Sequence, residues 1–189
     1  MSYAIPTNEL TLGDIKSYKA IALAAGIERA KSKGIAASES ELVWREMLPA
    51  FDLGALAVAG SGWALNYYVT PAAAGAGVWA NACGLAASVL PLLPTTRVAV
   101  FYKVYDASQD PVATGVRFLL AAASTKASFF IQCLIDNKLE SEAWFSQPVT
   151  YDPQDQVNIQ FYGRVATPAG GEELGFGCFI IERVGTTIS

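Results

Sequence analysis

The sequence predicts an all-β body, an antiparallel sandwich, preceded by a helical N-terminal arm. Three observations carry that expectation. From Thr96 onward, segments of alternating apolar and polar residues recur between turn-forming clusters, which is the period of half-buried strands. Before Gly34, one long segment repeats its apolar residues at helical spacing behind a capping signal. Between the two, no residue from Leu53 to Thr96 carries a charge, and the segment is broken throughout by Gly, Asn and Pro.

Length and composition bound the reading. A chain of 189 residues is one domain with an extension, divided here into an arm, 1–50, and a body, 51–189. The apolar fraction of 52% and mean hydropathy of +0.32 exceed the roughly 45–50% apolar usage of ordinary soluble domains. That excess points to a membrane protein or to a subunit with large obligate interfaces. The net charge is −4 and uneven: residues 1–34 are mildly basic, 5 − 3 = +2, and the remainder is acidic, 8 − 14 = −6. Met1–Glu9 has neither a basic nor an apolar leader region, so no signal peptide is expected.

In the arm, Thr11-Leu12-Gly13-Asp14 has the spacing of a capping box, with Asp in the place of Glu. A helix is expected to about Ser32, closed by Gly34. Ile15, Tyr18, Ala22 and Ala25 share one face, and Ile21, Leu23 and Ile27 widen it. Lys16 and Lys19 lie near one end, and Arg29, Lys31 and Lys33 near the other. Such a helix suits lipid headgroups, a neighbouring subunit or the chain's own body. Its candidate contact residues are Lys16, Lys19, Ile21, Leu23, Ile27 and Arg29. A second, shorter helix is expected from Glu41 to about Met47. Ser38 would cap it, Trp44 and Leu48 would pair at i, i+4, and Pro49 would stop it.

The uncharged stretch offers two candidate spans, Leu53–Val69 and Ala72–Leu90. Their Ala, Gly and Asn content supplies little transfer energy, and no Lys or Arg cluster brackets them. The stretch reads better as backbone held close to backbone, partly within the body and partly between subunits, with Ala73 and Ala86 as candidate contacts. Trp63–Thr70 has strand character. Ala72–Gly77 is a small-residue loop, and Val78–Val89 fits a strand or a short helix.

The body then becomes regular. Arg97–Tyr105 reads as a strand with Val98, Val100, Tyr102 and Val104 on one face. Val116–Ala122 and Ala127–Ile135 follow, the latter with Ala127, Phe129, Ile131, Cys133 and Ile135 aligned. Ala143–Tyr151 contains Pro148 and is therefore expected at an edge. Asp152-Pro153-Gln154-Asp155 is a turn. Val157, Ile159 and Phe161 alternate with polar residues, and Leu174, Phe176, Cys178 and Ile180 form one face of a last strand. One or two earlier strands would bring the total to about eight.

The chemistry available is narrow. The chain has no histidine, which removes Ser-His-Asp and Cys-His systems and His-ligated zinc. Cys83, Cys133 and Cys178 are too far apart in sequence for a metal motif, and a reducing assembly compartment fits them. Gly75-Ala76-Gly77 is an incomplete dinucleotide fingerprint. The carboxylate pairs Asp106/Asp110, Asp152/Asp155 and Glu140/Glu142 read as solvated turn groups rather than a catalytic pair or calcium site. The aromatic residues lie mostly at strand period, where packing is the default. An acidic body without a basic stripe disfavours nucleic acid. No enzyme activity, cofactor or metal is expected.

The strands of Thr96–Pro111, Ala127–Asp136 and Ser146–Tyr162, with the helical arm before them, resemble the single jelly-roll capsid proteins of tailless icosahedral bacteriophages with an internal membrane. The resemblance is one of pattern and covers about residues 60–185. It implies a jelly-roll body and a structural role, self-assembly into a virion shell built in the host cytoplasm. The partners it implies are copies of the chain, other shell proteins and, through the N-terminal helix, the internal membrane. Two alternatives stand beside it: a carbohydrate-binding module or carboxylate-based glycan enzyme on a β-sandwich, and a small membrane protein with a hairpin at 53–90.

Overall fold

The computed structural model describes residues 2–47, 67–69, 76–81, 92–108, 110–121, 124–131, 142–167 and 173–186. Ten strands and one long helix lie within them. The strands are β1 (Ser2–Pro6), β2 (Leu42–Glu46), β3 (Tyr67–Val69), β4 (Trp79–Asn81) and β5 (Arg97–Asp106), followed by β6 (Ala113–Leu120), β7 (Ser124–Phe130), β8 (Glu142–Tyr151), β9 (Val157–Gly163) and β10 (Glu173–Arg183); the helix, α1, is Leu12–Ser32. The expected class, all-β with an N-terminal helix, is what the chain adopts.

The strands form one curled sheet in the order β2-β10-β5-β8-β1-β7-β6-β9-β4, with β3 also paired to β10. Set β1 and β3 aside and a simple rule emerges. The remaining eight strands pair first with last (β2·β10), second with seventh (β4·β9), third with sixth (β5·β8) and fourth with fifth (β6·β7), all antiparallel. Those are the rungs of one long antiparallel ribbon. Two further antiparallel ladders, β10·β5 and β9·β6, form when that ribbon is rolled up.

Rolling brings the two halves of the sheet face to face around one apolar core. Phe101, Phe145, Phe176, Cys178 and Ile180 enter it from β5, β8 and β10; Phe118, Phe129, Ile159 and Phe161 enter from β6, β7 and β9. Phe129 stacks on Phe145 at 4.1 Å, and Phe118 meets Phe101 at 5.1 Å. The alternation in β9 and β10 placed these residues inward, as the sequence predicts.

β1 joins the halves. Ser2 and Tyr3 pair with Phe129 and Phe130 of β7 in parallel, then Ala4–Pro6 pair antiparallel with Ala143–Phe145 of β8. The sheet is therefore mixed, not purely antiparallel. A five-residue segment ending in proline carries no period long enough to announce a strand. It is recruited by the backbone groups that β7 and β8 would otherwise leave unpaired.

The helix forms as expected. The Thr11 side chain accepts from the Asp14 amide at 3.2 Å, and the Thr11 amide donates to the Asp14 carboxylate at 2.9 Å. The Thr11 hydroxyl also donates to that carboxylate at 2.7 Å, and this bond first, then the amide's, holds the Asp14 carboxyl below its ordinary range. Gly34, at φ +72°, ends the helix, and the Ile35 amide returns to Ala30 at 3.1 Å, satisfying a late carbonyl. α1 lies across β5, β8 and β10 on the face opposite the main core. A second apolar cluster, with Val98, Val100, Tyr102, Trp144, Phe179 and Ile181 on the sheet side, fills that interface. The helix meets it with Ala22, Gly26 and Ala30. At Gly26 a Cβ would stand 2.5 Å from Ile181 Cδ1 and 2.8 Å from Val100 Cγ2, so helix and sheet approach more closely than larger residues permit. Segment 1–50 thus supplies β1, α1 and β2 to the same body.

Three expectations are corrected. Leu42–Glu46 is a strand, not part of a helix, because pairing with β10 satisfies its backbone; Trp44 meets Phe179 at 5.2 Å rather than a helical neighbour. β8 is an interior strand flanked by β5 and β1. Its Pro148 lies where the β5 ladder skips from Val149 to Trp144, and such an irregularity tolerates a residue without an N–H. Finally, Val104 does not share a face with Val98, Val100 and Tyr102. The registers with β8 and β10 both shift around Tyr102, and a bulge turns the next residues over. Val104 enters the main core while Tyr102 stays under the helix.

Candidate functional site

The contact residues expected on the helix fall into three surroundings. Lys16 and Ile21 are exposed. Lys19 lies 3.8 Å from the Glu46 carboxylate and 5.8 Å from the centre of the Tyr102 ring. Beneath it, the Tyr102 hydroxyl donates to Glu46 at 2.7 Å. Burial, and then that bond, pushes the phenol well above its ordinary range.

Leu23 and Ile27 are half-buried. They line a shallow cleft between α1 and β2 with Leu42, Val43, Trp44 and Ile181. Val43 and Trp44 are 42% and 53% exposed, although each belongs to an apolar type that a closed body would bury. Among the described residues β2 ends the strand order, which sets this cleft beside its outermost strand. The Val-Trp content of Leu42–Glu46 was the available signal for a strand, and the capping pattern before it masked that signal.

Arg29 turns inward along the chain. Its guanidinium donates two hydrogen bonds to Asp152, and Lys33 stands 3.1 Å from the same carboxylate. The bond from Arg29, more than Lys33, holds the Asp152 carboxyl below its usual range, and the same bond raises Arg29. The basic C-terminal end of the helix is thereby tied to the β8–β9 turn. Ala73 and Ala86 lie outside the described residues, as does most of 53–90.

The carboxylate pairs are held by different partners. Asp155 accepts from the Asp152 amide at 2.9 Å and stands 3.1 Å from Lys126. Glu142 pairs with Lys103 at 2.6 Å. Asp106 is 4% exposed and takes the Ser108 amide at 2.9 Å; Asp110 is exposed. Glu140 lies outside the described residues. Glu182, 4% exposed, accepts from Arg97 at 2.8 Å and from Arg45 at 3.2 Å, so its charge is compensated. Among the described residues, no group of three or more His, Cys, Asp or Glu is placed to hold a metal ion. No helix among them is long and apolar enough to cross a membrane.

Neither a protein-family model nor a curated protein sequence matches the chain.

What this surface offers chemically is contact area. Tyr3 and Phe130, paired across β1 and β7, are 61% and 66% exposed. Leu12, Ile21, Val43, Trp44, Val78, Leu92, Val165 and Val184 are exposed as well. Single exposed apolar residues are ordinary. Here two aromatics of adjoining strands, Tyr3 and Phe130, and two successive residues of β2, Val43 and Trp44, are exposed together.

Proposed function

We propose that the protein is a structural subunit that assembles with copies of itself into a shell, and that its body is a jelly roll. The observation that carries this reading is the pairing rule of the eight strands: first with last, second with seventh, third with sixth, fourth with fifth. A double-sheet jelly roll is an eight-stranded ribbon rolled in this manner, and viral capsid domains are among the proteins that use it. Fold alone does not determine function. The exposed apolar residues of β1, β2 and β7 and the uncharged stretch 53–96 add support, because both suit burial against neighbours. Size-exclusion chromatography with light scattering, followed by electron microscopy, tests the reading. Closed particles or a stable symmetric oligomer are expected, whereas a monomer throughout the working concentration range would sink it. Lectin domains also use jelly rolls, and the exposed Trp44 beside Glu39 in the α1–β2 cleft favours glycan binding as a second reading. An array showing no retained glycan removes that alternative.

A further inference from the structure

Five strands, β1, β4, β6, β7 and β9, carry no Asp or Glu, in a chain whose net charge is −4. Their charged residues are Arg117 and Lys126; the acids Glu46, Asp106, Glu142, Glu173 and Glu182 all belong to β2, β5, β8 and β10. Val116, Phe129 and Phe161 of the acid-free strands point into the core, so their neighbours in sequence face outward. Register sets those neighbours in one row: Tyr3 beside Phe130, Phe130 beside Gly115, Gly115 beside Tyr162, Tyr162 beside Trp79. With strands about 4.8 Å apart, the row is about 19 Å long. Gly115 makes room for the indole, since a Cβ there would stand 3.3 Å from Trp79 Cη2. Trp79 also meets Tyr162 at 5.5 Å. At the other end Tyr3 and Phe130 are open to solvent. Two residues along the strands, about 6.8 Å away, Ser128, Arg117 and Gln160 pair in a second, polar row.

Arg117 is the charged group of the polar row, and the protein holds it in place without neutralising it. Its Nε donates to Gln160 Oε1 at 2.7 Å, and its guanidinium carbon lies 4.4 Å from the centre of the Trp79 ring. Among the described residues no carboxylate pairs with it, whereas Lys126 on the next strand stands 3.1 Å from Asp155. Partial burial lowers the Arg117 pKa, with no acid beside it to raise it. Both terminal nitrogens are left for an outside acceptor, in the planar fork that fits a carboxylate. A sugar ring has flat C–H faces that lie on aromatic rings and a rim of hydroxyls that bonds to Ser, Gln and Arg. An acidic sugar adds a carboxylate. The two rows offer these contacts side by side: exposed rings, neutral hydrogen-bonding groups and one uncompensated cation. A nucleic-acid strand carries a phosphate at every step and is held in grooves with several cations, which these rows do not supply.

We propose that this face binds an acidic polysaccharide, with a uronate carboxylate on the Arg117 guanidinium and sugar rings on Phe130 and Tyr3. The site is separate from the α1–β2 cleft and does not rest on the shell reading. Binding of the intact protein to immobilised hyaluronate, alginate and polygalacturonate tests it, with dextran as the neutral comparison and single-stranded poly(dT) as the phosphate one. Retention by at least one of the uronate chains is expected, weakening as salt rises, with none by dextran. Arg117→Met is expected to weaken it about 10-fold or more. Arg117→Lys, which keeps the charge and loses the fork, is expected to weaken it as well. Because Arg117 packs on Trp79, Phe130→Ser supplies a second variant at an exposed position, with a loss of about 5-fold expected. Trp44→Ala is expected to bind as the wild type. The proposal is overturned if no uronate chain is retained, if dextran is retained equally, or if poly(dT) binds more tightly than every uronate chain. Undiminished binding by folded Arg117→Met overturns it too, as does undiminished binding by Phe130→Ser. Loss of binding in Trp44→Ala alone would move the site to the α1–β2 cleft. Smaller species from Phe130→Ser in light scattering, with retention unchanged, would make the ring pair an interface between copies, and the proposal falls.

Discussion

Gly26 is the residue on which the helix–sheet contact turns. Glycine is among the poorest helix formers, about 0.8–1 kcal/mol below alanine, and leucine ranks close to alanine, so substitution there would stabilise an isolated helix. In the folded chain its first carbon already collides with Ile181 and Val100. Gly26→Leu is therefore expected to lose about 1–3 kcal/mol net through overpacking, read as a lowered midpoint in urea unfolding; unchanged stability would mean that α1 does not lie this close. Tyr151 acts through the core instead. From β8 its hydroxyl reaches the carbonyls of Leu119 on β6, at 2.9 Å, and Asn158 on β9, at 3.3 Å, linking the two halves of the sheet. Burial raises this phenol far above its ordinary range, so it stays a donor. Tyr151→Phe leaves those buried carbonyls short of a partner and should cost about 1–3 kcal/mol with no change in shape, measurable by denaturation alongside an unchanged circular-dichroism spectrum. At Asp152 the folded carboxyl is depressed chiefly by the bond from Arg29. An unfolded aspartate titrates near about 3.9, so the tether's contribution is fully present above that value and is lost as pH falls through the lower folded value. Thermal unfolding of the wild type and Asp152→Asn should differ by a constant amount above about pH 5 and converge below about pH 4. A difference that persists in acid would remove the ion pair from the account.

Among the elements, α1 was the most legible because its signals are local. Thr11 and Asp14 cap it and Gly34 closes it, and each acts within one turn of the chain. Thr11→Ala should cost about 0.5–2 kcal/mol, seen as faster exchange of the first helical amides and a lower unfolding temperature; an unaltered first turn would contradict the capping geometry. β9 and β10 were equally legible, since Val157, Ile159 and Phe161, and then Leu174, Phe176, Cys178 and Ile180, recur at every second position against one continuous core. β2 and β8 were not. Ser38 with Glu39 and Glu41 imitates a helix start, and nothing near Leu42 in sequence reveals that β10 will pair with it. Pro148 signals an edge by local chemistry, yet a bulge around Tyr102 lets proline sit in an interior strand. The helix face was read one position off at its centre. Gly26, not Ala25, is buried, because the sheet selects the residues with the least bulk.

For the whole molecule, the governing fact is the rolled ribbon. It depends on pairings as distant in sequence as Trp44 with Ile181 and Ala80 with Phe161, and loop-closing contacts of that length leave no trace in a local pattern. The proposed assembly is argued at this scale. The uncharged stretch suits close approach between subunits, so Ala73→Asp or Ala86→Asp is expected to impair assembly more than folding. Light scattering would show smaller species while the unfolding midpoint is retained. Normal assembly of both variants would mean that the interface lies elsewhere, with the Tyr3–Phe130 pair and the Val43-Trp44 border as the next surfaces to substitute.

By itself the sequence determined the strand-rich class, the capped helix, the inward residues of the late strands and the narrow choice of side-chain chemistry. Each of these follows from period, capping or composition, which act over a few residues. Tertiary structure alone decided that Arg29 and Lys33 spend their charge on Asp152 and that Leu42–Glu46 is a strand. It also decided that β1 joins the two halves of the sheet, and that the ribbon rolls with its first strand against its last. The physical reason is the same throughout. Backbone hydrogen bonds and buried charges must be satisfied wherever the folded chain brings them together, and the partner that satisfies them is chosen by proximity in space.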